Sequence, residues 1–313
     1  MEQQGTGDLD RFWLRDDVQQ QLCDWIDAAL EEDRTDEDRT SLLFSSAPDQ
    51  LCRGVVSTRE EGIVCGTAAM SAVFKRLAAD CRTACRVLDG TRVESGTEIM
   101  TVEGSAAVLL AGERIALNIG SHLCGIATRT ARLVECAPTA TILDTRKNIP
   151  GLRIFQKQAV RAGGGVSHRA DLAEFPLVKE NHRDLIQSLH PELVGDRQAE
   201  LTFIRDTLRS GGVKGPIAIE VEDEESFRCC LGLEIEIILV DNISPEILEQ
   251  WIARARSDDL PLRNDQIEAS GGIDETSAAA YAAAGAGRIS SGAITHSAPV
   301  LDLTMSISGG GIE

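Results

Sequence analysis

The sequence predicts an α/β protein in which an α+β segment precedes a run of strand–helix repeats that favours barrel-like closure over an open sheet. Three observations carry this. The stretches ATILDT, PLVKENH, PIAIEVE, EIEIILVDN, QIEASGG and GRISSGAIT alternate with helical patterns such as IFQKQAVRA, EESFRCCLGL, PEILEQWIARA and DETSAAAYAAAG, the rhythm of parallel βαβ units. Residues 51–110 instead join short β-like stretches through turn signals. Finally, 313 residues at 42% hydrophobic content suffice for one large domain or two smaller ones, each with its own core.

In chain order, Val18, Leu22, Trp25, Ile26 and Ala29 fall at helical spacing, predicting an amphipathic helix over residues 17–30 that ends in the charge run EEDRTDEDR. GVVST, EEGIVCG and CRVLDGTRVESGTEIMTVEGSAAVLL read as short β-like stretches, with Asp89-Gly90 and Ser95-Gly96 as turns and one helix near residues 68–79 between them. A further helix is expected over residues 110–130, before the repeats begin.

Thirty-one cations against 50 acids give a net charge of −19, which repels nucleic acid and anionic membranes. Only five of the cations are lysines, a surface suited to high salt or simply to an acidic enzyme. No apolar run is long enough to span a membrane, and the start MEQQGTGDLDRFWLRDD has no secretory pattern; a soluble, cytoplasmic protein is expected. Nine cysteines without a CxxC pair are expected to be reduced thiols, Cys81 and Cys85 lying four apart on a helix. His122, His182, His190 and His296 show no HExxH-like spacing, so no structural zinc is expected.

Folds of βα repeats place their chemistry at the carboxyl ends of the strands. Here those ends carry Thr145-Arg146-Lys147, Lys179, Glu220, Asp241, Ser270-Gly271-Gly272 and Ser291-Gly292. Residues 145–170 hold six cations and His168 but no Asp or Glu, which in so acidic a chain points to a cavity for a polyanion, since guanidinium groups pair with carboxylate and phosphate. Arg153, Lys157 and Arg161 repeat every four residues and are expected to form the solvated stripe of a helix rather than part of that cavity. Gly163-Gly164-Gly165 offers a flexible turn whose amides could face an anion. The glycines after the last two strands suit backbone binding of a phosphate, or an ordinary βα turn. Glu220 and Asp241 suit ribose hydroxyls or Mg²⁺, or else simple helix capping.

These residues resemble the quinolinate phosphoribosyltransferase family, also called nicotinate-nucleotide pyrophosphorylase (decarboxylating). The resemblance rests on ERIALNIGSHLCGIATRT, DTRKNIPGLRIFQKQAVRAGGGVSHR, LVKENH, IEVE, ILVDN, EASGGI and SSGAITHSAPVLDLTM, in this order over about two thirds of the chain. It implies an N-terminal α/β sandwich domain over residues 1–125, with 297–313 packing on it, and an incomplete α/β barrel over 126–296, the type II phosphoribosyltransferase fold. The implied reaction is a pentosyl transfer: quinolinate and phosphoribosyl pyrophosphate give nicotinate mononucleotide, pyrophosphate and CO₂, with Mg²⁺, in a homodimer or assembly of dimers with shared active sites.

Carried over by motif, Arg146, His168, Arg169 and Lys179 would surround the quinolinate carboxylates, with Arg114 reaching in from a second copy. Lys147 would lie near the pyrophosphate, with Thr145 beside it. Glu220 and Asp241 would hold the ribose and Mg²⁺. Ser270, Gly271, Gly272, Ser291 and Gly292 would cradle the 5′-phosphate, with His296 near them. Lys147, Lys179, Glu220 and Asp241 are the expected catalytic set. The competing readings are a paralogue using another aromatic acid or serving molybdenum transport, a Schiff-base lyase built on Lys179, and a non-catalytic anion binder.

Overall fold

A computed structural model describes residues 6–44, 46 and 50–309. The described residues fall into two compact units. The first takes in those of Met1–Ala131, Asn148–Gly164 and Ile294–Glu313, the second Arg132–Lys147 and Gly165–Ala293.

The first unit opens with two helices, α1 (Thr6–Phe12) and α2 (Asp16–Glu32). The expected amphipathic pattern buries Val18, Leu22 and Ile26 of α2. α1 lies ahead of it and was not foreseen; it buries Leu9 and Phe12, with Trp13 just beyond. β1 (Leu51–Thr58), β2 (Gly62–Ile63), α3 (Thr67–Leu77), β3 (Arg82–Cys85), β4 (Arg92–Val93) and β5 (Glu98–Ser105) follow, then the long helix α4 (Ala106–Cys136). Cys81 therefore precedes a strand and Cys85 ends it, where a helix was expected: residues 82–85 pair antiparallel with β5. All nine cysteines are free.

Helix α5 (Arg153–Ala162) also belongs to this unit. It buries Phe155, Gln156, Lys157, Gln158, Ala159, Val160 and Ala162. Lys157 is thus not part of a solvated stripe, and Arg153 and Arg161 are half-buried. The physical reason is that α5 is enclosed on most of its circumference: Trp13 and Trp25 stack on Phe155 at 6.0 and 5.0 Å, and long aliphatic stems tolerate such burial. The amides of Gly163 and Gly164 donate to the Ala159 and Arg161 carbonyls, so these two close the helix instead of facing an anion.

The second unit is a sheet of parallel strands: β6 (Thr141–Leu143), β7 (Leu177–Val178), β8 (Ala218–Val221), β9 (Ile237–Asp241), β10 (Ile267–Ser270) and β11 (Arg288–Ser290). Their order is β6-β11-β10-β9-β8-β7, and no pairing joins β6 to β7 among the described residues, so the barrel is incomplete. β8 is buried at every position, as expected of a strand covered on both faces. Between the strands run α6 (Glu180–Leu189), α7 (Arg197–Ser210), α8 (Glu224–Gly232), α9 (Pro245–Ser257) and α10 (Ala278–Ala284). Three of these start on a side-chain cap, where Asp196, Asp223 and Ser244 accept from backbone amides three residues on. The final strand, β12 (Leu303–Gly309), pairs antiparallel with β1 and so completes the sheet of the first unit in the order β12-β1-β5-β3.

A buried ion pair ties α6 to α7. Glu200, fully buried, accepts from Arg183 Nε and Nη2 at 3.0 Å each, and from Arg197 at 3.2 Å. Burial favours the neutral carboxyl, but the Arg183 hydrogen bonds and the charges of Arg183 and Arg197 outweigh it and hold Glu200 below the usual value of 4.5. Stability gained from a depressed carboxylate is complete above its unfolded pKa and lost as the pH falls through the folded one. The urea midpoint is therefore expected to be insensitive to this group above about pH 5 and to fall in more acid solution. In Glu200→Gln that fall should be shallower; a fall as steep as wild type would show that Glu200 does not drive it.

Candidate active site

At the carboxyl ends of the parallel strands lies a cavity of about 360 Å³ lined by Thr145, Arg146, Lys147, His168, Arg169, Leu177, Lys179, Glu220, Leu239, Asp241, Glu268, Ser270 and Ser290. Nine of the residues singled out from the sequence meet here, because they lie at or close to the carboxyl ends of strands of one sheet, Glu220 one residue before the end of β8. The Asp241–Ser270 register of β9 and β10 sets these two side by side.

His168 and Arg169 reach the cavity through a one-residue parallel bridge between Val166 and Leu143, which extends the sheet past β6. The His168 amide then donates to Asp144 Oδ1 at 2.8 Å. Arg169 is buried and donates from Nη1 to the Phe175 carbonyl at 3.0 Å. Burial, and after it the Arg146 charge, weakens its hold on the proton. A guanidinium disfavoured by burial and by a neighbouring cation suits an anion beside it.

The cavity also carries acids. Glu220 is buried and pairs with Lys179 Nζ, while its other oxygen accepts from the Glu180 amide at 3.4 Å. The Lys179 amide in turn donates to His182 Nδ1 at 3.0 Å. Burial, then the neighbouring Glu220 charge, push the Asp241 carboxyl up, against the pull of Lys179, Ser270 and Lys147. Pro176, which the strand pattern does not lead one to expect, sits just ahead of β7, where its carbonyl accepts from the Ala218 amide at 3.0 Å. It needs no donor there.

Residues 126–306 match the description "Quinolinate phosphoribosyl transferase, C-terminal domain", and residues 38–124 that of the N-terminal domain. The chain belongs to the quinolinate phosphoribosyltransferase family. It is 34% identical over 261 residues to a probable nicotinate-nucleotide pyrophosphorylase (carboxylating) of Bacillus subtilis, covering 83% of this chain and 84% of that one. A nicotinate-nucleotide pyrophosphorylase (carboxylating) of Mycobacterium leprae is 35% identical over 258 residues, 81% and 86% of the two chains. Among solved structures, NadC from Streptococcus pyogenes superposes with a TM-score of 0.81 at 31% identity, over 93% of this chain and 98% of that one. The fold is accordingly the type II phosphoribosyltransferase fold, an α/β sandwich with an incomplete α/β barrel.

Six residues that the family resemblance brings forward do not line this cavity. Gly271 and Gly272 form the loop directly after β10 with φ of +102° and +62°. At Gly271 a Cβ would stand 2.3 Å from Asn242 Oδ1 and 2.7 Å from the Asn242 amide nitrogen, so the loop admits only glycine there. The Ser291 hydroxyl donates to the Ile273 carbonyl at 2.8 Å, and its amide to the Leu143 carbonyl at 3.0 Å; it ties strand ends together. Gly292 follows it in the same turn. His296 is exposed and bonded to the Ser297 hydroxyl. Arg114 lies on α4 in the first unit, where it lines a separate cavity with Trp25, Asn118 and His122.

The residues fit a magnesium ion. Glu220 and Asp241 offer hard oxygen donors from adjacent strands, and the repulsion that pushes Asp241 up is one that a dication relieves. An ion held by two carboxylates alone would keep waters and substrate oxygens as its other ligands, as magnesium does. The strand-end reading overlooked two buried acids, Asp144 and Glu268. Asp144 ends the run ILD and had the same signal as the residues that were chosen. Glu268 lies inside β10, two residues before the strand end, and no end-of-strand rule reaches it.

Proposed function

We infer that the chain transfers phosphoribosyl from 5-phosphoribosyl 1-pyrophosphate to quinolinate with decarboxylation, giving nicotinate mononucleotide, pyrophosphate and CO₂ in NAD biosynthesis. The observation that carries this is one cavity with Arg146, Lys147, His168, Arg169 and Lys179 on its walls, in a chain of net charge −19, in a member of this family. A mono-acid acceptor has no use for so many cations.

In this reading Arg146, His168, Arg169 and Lys179 bind and orient the two quinolinate carboxylates, aided by Arg114 of a second copy. Lys147 neutralises charge on the departing pyrophosphate. As the bond to the ribose C1 breaks, positive charge grows on the sugar, and Glu220 and Asp241 meet it while holding the ribose hydroxyls. Catalysis is mostly positioning and electrostatic stabilisation. The amides around Ser270, Gly271, Gly272, Ser291 and Gly292 receive the 5′-phosphate, with His296 beside them. A Mg²⁺ held by Glu220 and Asp241 would supply charge neutralisation for the pyrophosphate. Decarboxylation then leaves an electron pair on the ring carbon next to a nitrogen made cationic by its new ribosyl bond, and a proton from water completes the C–H bond of the product. The substrate is its own electron sink, so no organic cofactor is needed.

Charge argues against nucleic acid and anionic membrane as partners, and no helix among the described residues is long and apolar enough to cross a membrane. A homodimer or an assembly of dimers in the cytoplasm completes the reading. Purified protein is expected to release CO₂ from quinolinate only when both phosphoribosyl pyrophosphate and Mg²⁺ are present. Equal turnover of nicotinate, or none of quinolinate, would sink it. Borohydride with aldehydes should trap no adduct at Lys179, which separates this reaction from a Schiff-base lyase.

A further inference from the structure

Glu268 presents a contradiction. It is fully buried, yet it lines a cavity whose other groups are arranged to receive a dianion. A bare carboxylate there would repel the substrate and would also be costly to bury. Its two oxygens resolve this. Oε2 accepts from Arg288 Nε at 3.0 Å, across the directly paired positions of β10 and β11. Oε1 faces His168 Nε2 at 3.2 Å, with both side chains buried. Neutralising Arg288 alone would occupy one edge of the carboxylate; the other edge is turned to the imidazole.

His168 is contacted at three points. Its amide is held by Asp144, its ring lies against Phe175 at 5.3 Å and 48°, and Nε2 meets Glu268. Turning the ring over would remove Nε2 from the carboxylate and put a carbon there. The charged groups around the ring come from separate parts of the sheet: Asp144 after β6, Glu268 in β10, and Arg169 next in the chain. A histidine that meets a ligand commonly has its other ring nitrogen fixed by a carboxylate, which sets tautomer and orientation.

We propose that Glu268 is a positioning residue for the quinolinate site, holding the His168 ring with its Nε2 hydrogen on the carboxylate so that the imidazole is oriented and charge-compensated before the dicarboxylate enters. The proposal rests on the reading that His168 meets a substrate carboxylate. Glu268 itself touches no reacting atom; it acts through His168.

The test uses the full-length protein labelled with ¹⁵N-histidine, with the His168 signals identified by their loss in His168→Asn. In wild type, Nε2 of His168 is expected to carry a hydrogen, with Nδ1 protonated as well once quinolinate is bound so that it can donate to the substrate carboxylate, and in Glu268→Gln the His168 nitrogen shifts should move. In the same variant the KM for quinolinate should rise about tenfold, the lower end of what removing a carboxylate behind a ligating histidine costs. The KM for phosphoribosyl pyrophosphate should stay within about twofold. A wild-type His168 protonated only on Nδ1 overturns the proposal, as do unchanged His168 shifts in Glu268→Gln, or both KM values rising together. Should Glu268→Gln not fold, Glu268→Asp, which keeps the charge but draws it back by one methylene, must shift the His168 nitrogens or the proposal falls. Absence of quinolinate turnover in wild type would refute the functional reading alone, and the nitrogen shifts would still decide whether Glu268 sets His168.

Discussion

Arg169→Ala is expected to raise the KM for quinolinate about a hundredfold, with kcat and the KM for phosphoribosyl pyrophosphate changing far less. A hydrogen-bonded pair with a charged partner contributes about 1.5–3 kcal/mol, and a guanidinium against a carboxylate makes two such bonds at once. The structure adds a reason for the upper part of that range. Arg169 is 7% exposed and spends one nitrogen on the Phe175 carbonyl, so its charge is poorly hydrated, and burial followed by Arg146 disfavours it. In the proposed reading an incoming carboxylate offsets the cost of holding this cation. Removing it should therefore leave the urea midpoint of the free protein equal to or above that of wild type, a sign opposite to the effect on substrate. No pH dependence of stability follows, because arginine stays protonated through the workable range even when its pKa is lowered. Arg169→Lys, with charge but without the planar fork, should lose about tenfold. Steady-state kinetics with each substrate varied in turn decides the matter. An unchanged quinolinate KM, or a lower midpoint with both KM values raised, would mean that Arg169 supports the fold and not the substrate.

The barrel segment was legible because its physics is local. A strand buried on both faces is mostly apolar, as in IAIEV and IILVD, and the polar residues at or near its carboxyl end mark where ligands bind such sheets. That rule found Thr145, Arg146, Lys147, Lys179, Glu220, Asp241 and Ser270 without any knowledge of contacts. It could not find Glu268, whose partner His168 lies 100 positions away in the numbering and whose role depends on which strands become neighbours. The misreading of Lys157 has the same origin. Cations at every fourth position describe one face of a helix, but not whether that face meets water; in α5 Lys157 is buried, while Trp13 and Trp25 stack on Phe155. Burial is a property of the assembled unit, so periodicity marks faces without saying what covers them.

Asp89 is the position where the same limit has the largest consequence for stability. Asp89-Gly90 reads as a turn, and Gly90 does adopt φ +86°. The aspartate, however, is wholly buried and collects four donors: Trp13 Nε1 at 2.8 Å, the Gly66 amide at 3.0 Å, the Thr67 amide at 3.3 Å and the Thr67 hydroxyl at 3.2 Å. It therefore caps α3 from a distant part of the chain, placing a negative charge on a helix N-terminus, and it anchors the indole that follows α1. Asp89→Ala would strand these donors in the core. Each unsatisfied buried donor costs about 1–3 kcal/mol, partly offset where water or a local shift rescues it. The expected loss is about 3–5 kcal/mol, a large fraction of the stability of an ordinary domain. Asp89→Asn keeps one acceptor oxygen but turns an amide NH₂ toward donors, so it should be destabilising too, by a smaller amount. Urea unfolding followed through tryptophan fluorescence separates the two variants. A loss below about 1 kcal/mol for Asp89→Ala would mean that solvent reaches these groups and that the dipeptide is only a turn.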